Sequence, residues 1–148
     1  MRKLKTKKKK ILSTLVLGIA LLILIPRKVT ASDITKETNI LINEKAISSK
    51  VTDGKESTYL AIKQDTSITI KSEQDIHGIY IVYEYSSKTG TLTGNGKTVE
   101  VGQNNFLHEY INVNESIGPA KELELTYNED VKIAEIYVLS EGELPDKR

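Results

Sequence analysis

Residues 79–85 constrain the fold more than any other segment, because every residue before Glu84 is β-branched or aromatic. This composition is typical of a strand that lies in the middle of a sheet and is covered on both faces. Residues 67–71 and 121–127 instead alternate between apolar and polar side chains. A period of two indicates strands with one buried and one exposed face. These segments predict a fold built from β-strands.

An Asn-Gly pair marks a hairpin. Asn95 and Gly96 separate two short alternating runs, residues 91–94 and 97–101. Both residues tolerate the positive φ that a two-residue hairpin turn requires, so the pair is the strongest short-range hairpin signal in a sequence. A closing strand is predicted at residues 131–139.

Helix signals are weak beyond residue 31. Only residues 114–122 compete as a helix, and Gly118-Pro119 interrupts them, because proline cannot donate a backbone hydrogen bond. Residues 39–42 predict a first strand at a sheet edge. About seven or eight short strands, separated by turns and without a helix, predict an all-β antiparallel sandwich or barrel.

The first 31 residues differ from the rest in charge and hydropathy. They hold nine of the 21 basic residues and no acidic residue, and residues 11–25 are an apolar run. The run is at the upper edge of the roughly 7–15 apolar residues of a signal peptide and below the roughly 20 of a spanning helix. We expect a signal peptide or signal-anchor helix, with the C-terminal domain outside the cytoplasm.

The end of this leader supports two outcomes. Val29 and Ala31 are the small residues that a signal peptidase reads, which predicts cleavage between Ala31 and Ser32. Arg27 and Lys28 instead favour an uncleaved anchor, because long basic side chains can reach the membrane interface and lengthen a short span. The chain is therefore predicted to be secreted, or anchored at the cell surface with the membrane as a partner.

The part beyond the leader is acidic and lacks cysteine. Residues 32–148 carry 12 basic and 20 acidic residues, and the whole chain has no cysteine. Nucleic acid is excluded as a partner, since its binding depends on Lys and Arg side chains that neutralise phosphates. Without disulfides, the domain must be held by its core or by a metal. We divide the chain into a leader (1–31), a short tether (32–38), a β-sandwich domain (39–144) and a tail (145–148).

Three short motifs occur in an order found in one type of β-sandwich. They are Asp53-Gly54 followed by Thr58, then Ser67-Ile68-Thr69-Ile70, and finally Ala134-Glu135-Ile136-Tyr137-Val138. Across residues 39–139, this order resembles the discoidin-like, galactose-binding-like modules. The resemblance implies a jelly-roll sandwich.

Residues 137–146 carry a second resemblance. They are similar to the junction between such a module and the catalytic domain in secreted bacterial PIG-L-type de-N-acetylases, which remove acetyl groups from amino sugars. In those enzymes a metal-binding His-x-Asp-Asp-Glu motif follows the junction, and this sequence contains no such motif. The resemblance implies an N-terminal accessory domain whose catalytic domain is absent.

The discoidin-like resemblance implies a structural calcium ion. Many such modules hold Ca²⁺ between the Asp-Gly loop and the glutamate of the closing strand, and the matching residues here are Asp53, Thr58 and Glu135. Oxygen ligands of this kind are what Ca²⁺ requires. The alternative is that Asp53 only caps its own turn and Glu135 faces water. No other cofactor is expected.

Carbohydrate modules commonly stack an exposed aromatic ring against a sugar. Tyr59 follows the Asp-Gly loop, and His108 and Tyr110 lie on a late predicted strand. These three are the predicted ligand-binding residues, with cell-envelope polysaccharide as the predicted partner. Packing within a sheet or at its rim is the alternative for each of them.

The sequence has no catalytic motif. His77 and His108 are the only histidines, and no nucleophile elbow, phosphate loop or zinc helix motif occurs. We therefore predict a non-catalytic binding or accessory module rather than an enzyme. Two alternatives are a de-N-acetylase remnant that binds nothing alone, and a module that binds another surface protein.

Overall fold

The computed structural model describes residues 33–141. The apolar run of the leader, the predicted cleavage between Ala31 and Ser32, and the predicted tail lie outside these residues. Between residues 33 and 141, no helix has both the length and the apolar character needed to cross a bilayer.

The described part of the chain is nearly all β. Its strands are β1 (Asn39–Ile42), β2 (Lys45–Ala46), β3 (Leu60–Ile62), β4 (Ile68–Ile76), β5 (Gly78–Tyr83), β6 (Gly90–Gly94), β7 (Lys97–Val101), β8 (His108–Asn112), β9 (Ala120–Tyr127) and β10 (Val131–Leu139). Two 3₁₀ turns, Thr35–Glu37 and Ser49–Val51, and one short helix, α1 (Val113–Ser116), connect them.

The strands form two antiparallel sheets. The larger sheet has the order β2-β1-β4-β9-β6-β7 and the smaller one β3-β10-β5-β8. Fully buried side chains such as Ile70 and Leu125 of the larger sheet share one core with Ile81 and Ile136 of the smaller sheet. The predicted all-β antiparallel sandwich is confirmed.

The centre of the smaller sheet is buried on both faces. All six residues of β5 are buried, and Lys132 is the only exposed residue of β10. The outer face of these strands carries a second apolar cluster, formed by Tyr80, Val82, Ala134, Tyr137 and Leu139 with Tyr59 and Tyr110 packed against it. This double burial explains why the sequence of β5 does not alternate.

The strongest strand predictions are confirmed. β9 and β10 occupy the predicted segments, β5 forms as predicted but ends at Tyr83, and β6 pairs with β7 across the predicted hairpin. Asn95 and Gly96 form its turn with φ of 53° and 76°. Positive φ at both positions is what a two-residue turn of this type requires.

Several predictions are corrected. The sequence does not predict β2 and β3, because they have two and three residues, too few to show an alternation of apolar and polar side chains. β1 is not an edge strand, since it lies between β2 and β4. The absence of a helix is also wrong, because α1 forms after β8. Asn112 caps it, its side-chain oxygen accepting from the Glu115 amide at 3.0 Å.

Residues 33–38, predicted as a tether, pack against β10. The Ile34 amide donates to the Val138 carbonyl at 2.8 Å, and the Thr35 hydroxyl accepts from the Val138 amide at 2.8 Å. Asp33 pairs with Leu139, and both Ile34 and Thr35 are buried. This segment is therefore part of the sandwich.

Tyr83, Glu109 and Tyr127 join the two sheets through the core. The Tyr83 hydroxyl donates to Glu109 Oε1 at 2.8 Å and lies 2.6 Å from the Tyr127 hydroxyl. Glu109 Oε2 accepts from the Gly102 amide at 2.9 Å. Burial raises the pKa of both tyrosines well above the ordinary value. The network thereby satisfies a buried carboxylate and fixes the segment after β7.

Candidate functional site

The Asp-Gly loop, residues 53–58, is organised largely by its own side chains. Asp53 Oδ1 accepts from the Lys55 amide at 2.8 Å, and the Thr58 hydroxyl donates to Asp53 Oδ2 at 2.8 Å. Gly54 has a φ of +79°, in the left-handed region that favours glycine. The motif therefore holds Asp53 and Thr58 side by side.

Glu135 reaches this loop from β10. A bulge between Ile133 and Glu135 shifts the register, so that Ala134 and Glu135 both lie on the outer face of the smaller sheet. The Lys55 amide donates to Glu135 Oε2 at 3.0 Å. Glu135 is only 1% exposed. The prediction that Glu135 meets the loop is thus favoured over the alternative that it faces water.

Asp53 and Glu135 are neighbouring carboxylates that both accept from the Lys55 amide. Burial, followed by the contact with Asp53, raises the pKa of Glu135 to about 8. The neighbouring Glu135, the Lys55 amide and the Thr58 hydroxyl lower the pKa of Asp53 to about 2. The pair therefore shares one proton at neutral pH, because two adjacent carboxylates resist ionising together without a compensating charge.

The oxygen atoms around this pair suit calcium. The Thr58 hydroxyl lies 3.4 Å from the carbonyl oxygens of both Lys50 and Lys55. Two carboxylates, a hydroxyl and two carbonyls thus lie at this loop, a mixture of hard oxygen donors that Ca²⁺ binds. Glu135 Oε1 is buried and has no hydrogen-bond partner among the described residues, and a cation would satisfy it. The predicted ligands Asp53, Thr58 and Glu135 are brought together.

Carboxylates alone do not make this site. Across residues 33–141, no group of three or more histidine or acidic side chains is arranged to hold a metal. The calcium ion would depend on the hydroxyl of Thr58 and on loop carbonyls as well as on the two carboxylates. Its chemistry there would be structural, since it would join the loop to β10.

A separate pocket of about 310 Å³ lies at one end of the smaller sheet. Its walls come from the end of β3, the loop after β5 and the start of β10, and they include Ile62, Lys63, Tyr85, Ser86, Lys88 and Lys132. This volume is at the lower end of the range of about 300–1,000 Å³ that ligand pockets occupy. We call it the Tyr85 pocket.

Backbone hydrogen bonds join the loops around the Tyr85 pocket. The Asp65 amide donates to the Tyr127 carbonyl at 2.8 Å, which connects the turn after β3 to β9. The Asn128 amide donates to the Thr89 carbonyl at 2.9 Å, which connects the turn after β9 to the loop after β5. The pocket walls are therefore preformed.

Ser87 anchors the loop after β5. Its buried hydroxyl donates to the Gly102 carbonyl at 3.0 Å and accepts from the Phe106 amide at 2.9 Å. Gly102 has a φ of +68°, and a Cβ there would lie 2.1 Å from the Lys88 carbonyl oxygen. Only glycine allows this close approach. The anchor fixes the backbone next to Tyr85.

Tyr85 presents an open aromatic ring at the pocket. The residue is 71% exposed. The Lys132 ammonium lies 5.2 Å from the centroid of its ring and 5.4 Å from that of Tyr59. A cation at this distance is attracted to both rings. Lys132 therefore supports Tyr85 from one side and leaves most of the ring accessible.

Of the three predicted ligand-binding residues, His108 and Tyr110 lie on β8 and Tyr59 directly precedes β3, and none of them lines the Tyr85 pocket. Tyr59 borders it through Lys132. His108 Nδ1 lies 3.0 Å from the Tyr80 hydroxyl, and Tyr110 packs against the second apolar cluster. The sequence does not identify Tyr85 as a site residue, because residues 79–85 are predicted to form one strand, whereas β5 ends at Tyr83. The serine pair after Tyr85 is the signal that the strand ends earlier.

No family model matches this sequence, and no curated protein matches it. Solved structures do. An F5/8 type C domain from Bacteroides fragilis matches with a TM-score of 0.52 at 11% identity, over 73% of this chain and 94% of that domain. A family 89 glycoside hydrolase from Clostridium perfringens matches with a TM-score of 0.54 at 17% identity, over 78% of this chain and 16% of that one.

A GH29 fucosidase from Ruminococcus gnavus matches with a TM-score of 0.52 at 15% identity, over 76% of this chain and 27% of that one. This chain thus spans only a small part of either hydrolase. At these identities the similarity shows the fold alone. The predicted discoidin-like β-sandwich is confirmed.

Proposed function

We propose that this chain is a non-catalytic carbohydrate-binding module that stacks a sugar ring on Tyr85. The observation that carries the proposal is an exposed aromatic ring, supported by Lys132, beside a preformed pocket. Sugar sites combine such a ring with flanking hydrogen-bonding groups. Ser86 and Lys88 supply these groups among the lining residues.

The structural similarities support the proposal. The family 89 hydrolase has been solved with its substrate GlcNAc-α-1,4-galactose, and the fucosidase with fucose. Both proteins act on carbohydrate, and each contains a region that resembles this sandwich. The F5/8 type C domain resembles it over nearly its whole length.

In this proposal calcium has a structural role that reaches the pocket. The ion joins the Asp-Gly loop to Glu135, and Tyr59 directly follows Thr58 at the end of that loop. Tyr59 in turn contacts the Lys132 ammonium, which supports Tyr85. Fixing the loop would therefore help to fix the aromatic ring that receives the sugar.

The test is a glycan-array screen of the full chain, kept in mild detergent because of its apolar leader, with and without Ca²⁺. Titration of a glycan that binds should then show about a tenfold loss of affinity in Tyr85→Ala, since an aromatic contact contributes about 1 kcal/mol beyond the area it buries. Leu107→Ala is the matched control, because Leu107 is the other exposed large hydrophobic residue within residues 33–141, at 48%. Silence on every glycan, or equal affinities of the two variants, would overturn the proposal.

We further propose that the module works outside the cytoplasm, against cell-envelope polysaccharide. The apolar run of residues 11–25 and the concentration of basic residues before residue 31 support export. Cell fractionation and N-terminal sequencing provide the test. A mature start at Ser32 indicates secretion, an intact leader in the membrane fraction indicates anchoring, and recovery from the cytosol would reject both.

A second candidate role is that of an accessory domain for a PIG-L-type de-N-acetylase. The similarity of residues 137–146 to the junction in those enzymes supports it. An encoded de-N-acetylase domain directly downstream would agree with this role. If neither the parent chain nor any variant binds a sugar and such a domain is encoded, the non-binding remnant is favoured.

A further inference from the structure

The Tyr85 pocket is basic, although the domain around it is acidic. Residues 33–141 contain 10 lysines, no arginine, and 18 aspartates and glutamates. Lys63, Lys88 and Lys132 line the pocket, and Asp130 is the only acidic residue among the lining residues. Three of the 10 lysines of residues 33–141 therefore line this one pocket, together with only one of the 18 acidic residues.

Asp130 does not cancel this positive charge. Its Oδ2 lies 3.8 Å from the Lys63 ammonium, and its Oδ1 accepts from the Gln64 amide at 2.9 Å. The carboxylate is thus directed to the turn after β3. Lys88 and Lys132 supply the remaining positive charge of the pocket.

Lys132 is also held in position. Its ammonium contacts the rings of both Tyr59 and Tyr85, at 5.4 and 5.2 Å from their centroids. Two aromatic contacts reduce the freedom of a side chain that otherwise carries large rotamer entropy. A positive charge is therefore fixed beside the ring on which a sugar would stack.

A neutral sugar would gain little from several lysines at its site, because each ammonium loses water of hydration without receiving an opposite charge. An acidic sugar compensates that loss with charge-assisted hydrogen bonds. We propose that the Tyr85 pocket selects acidic glycans, in which a pyranose ring carries a carboxylate or a sulfate. The ring stacks on Tyr85, and the acidic group faces Lys88 and Lys132. This inference rests on the proposed carbohydrate binding.

Matched polymers can separate charge from sugar recognition. The full chain in mild detergent is titrated with polygalacturonate and with its fully methyl-esterified form, which has the same backbone without the charge. Dextran sulfate and dextran form the sulfate pair. Each titration is repeated at two salt concentrations, because binding between charged groups weakens with ionic strength.

The variants are Lys88→Gln, Lys132→Gln and the double variant, and Lys97→Gln is the control. Lys97 is an exposed lysine at the start of β7, on the other sheet. We expect one acidic polymer at least to bind about tenfold more tightly than its neutral partner. Each pocket variant should weaken that binding about fivefold to tenfold, the size of a lost hydrogen bond to a charged group. Thermal melting confirms that the variants remain folded.

The outcomes are distinct. Preference for polygalacturonate or for dextran sulfate supports the proposal and identifies the acidic group. Equal binding of charged and neutral partners overturns it and leaves carbohydrate binding intact. Equal loss in Lys97→Gln and in the pocket variants indicates unspecific attraction of polyanions and also overturns it. If neither these polymers nor the glycan array binds, carbohydrate binding itself is rejected.

Discussion

The Asp-Gly loop and the Tyr85 pocket lie on the same sheet, but their residues come together in different ways. The loop is a run of consecutive residues, 53–58, whose hydrogen bonds are largely its own, and one distant residue, Glu135, completes it. The pocket instead combines three separate segments, and its shape depends on anchors beneath them such as Ser87. A local motif can be recognised in the sequence, whereas a pocket between loops exists only after folding.

The difference can be tested, because substitutions in one region should leave the other largely intact. The expected coupling is limited to one route, from the loop through Tyr59 to Lys132. The loop responds to calcium and protons, and the pocket responds to packing and to the charge of its walls.

The largest effect is expected for Asp53→Ala. Calcium at about 100 times its Kd would stabilise the parent chain by about 2.7 kcal/mol. For a domain of this size, that corresponds to a rise of roughly 10 °C in Tm. Asp53→Ala should abolish the rise, because it removes one of the two carboxylates. Calorimetry with Ca²⁺ and with EDTA provides the measurement.

Glu56→Gln is the matched control, since Glu56 is an exposed acid on the same loop that makes none of these contacts. It should retain the full calcium response. If calcium does not change the Tm of the parent chain, the calcium site is rejected, whatever the variants show.

Ser87→Ala should produce the next largest effect, and it should act on the pocket. It leaves the Phe106 amide without its acceptor and the Gly102 carbonyl without a donor. Removing one partner of a buried hydrogen bond costs about 1–3 kcal/mol. Urea unfolding should show this loss, while the calcium-induced gain in stability stays unchanged. Ser116→Ala, at an exposed serine of α1, is the control.

Individual residues show which features of the fold and of the candidate site the sequence could predict. The double burial of β5 and the Asn-Gly turn are local signals, and both appear where they were predicted. The pairing of Asp53 with Glu135 follows from a family resemblance and has no local signal. Tyr85 could not be placed in the pocket from sequence, because only the folded chain brings it beside Lys132. The two-residue strand β2 is too short for any period to appear.

The pH dependence of calcium binding should also separate the two regions. In the folded protein the pKa of Glu135 is about 8, above its ordinary 4.5, so folding favours the protonated form. Without calcium, the stability from this proton is present below about pH 4.5 and is lost as the pH rises toward 8. Calcium must displace the proton, so its affinity should instead fall at least about tenfold from pH 8 to pH 6.

Isothermal titration with Ca²⁺ across this pH range provides the measurement. Glu135→Gln has no proton to lose, so its residual affinity should be weak and should not vary with pH. Binding of a neutral glycan to the Tyr85 pocket should change little over the same range. A calcium affinity that is constant from pH 6 to pH 8 in the parent would contradict the shared proton.

The smallest effect on stability is expected for Asp130→Asn, which changes the charge of the pocket and little else. The asparagine oxygen can still accept from the Gln64 amide, now at 2.9 Å from Asp130 Oδ1. The ion pair with Lys63 is 3.8 Å long, and its side chains are 86% and 64% exposed. Such exposed pairs contribute at most about 1 kcal/mol, so the free energy of unfolding should change by less than about 0.5 kcal/mol.

The same substitution should strengthen binding of an acidic glycan about twofold to threefold at low salt, because it removes the acid from a basic pocket. Glu129→Gln is the matched control, since Glu129 is the exposed neighbour in the same turn and does not line the pocket. Equal gains in both variants would indicate that the net charge of the domain, rather than the pocket, governs binding. If Asp130→Asn instead lowers the free energy of unfolding by more than about 1 kcal/mol with no gain in affinity, the main role of Asp130 is to hold the turn through its hydrogen bond to the Gln64 amide. The pocket would then, like the Asp-Gly loop, owe its shape to hydrogen bonds made by its own side chains.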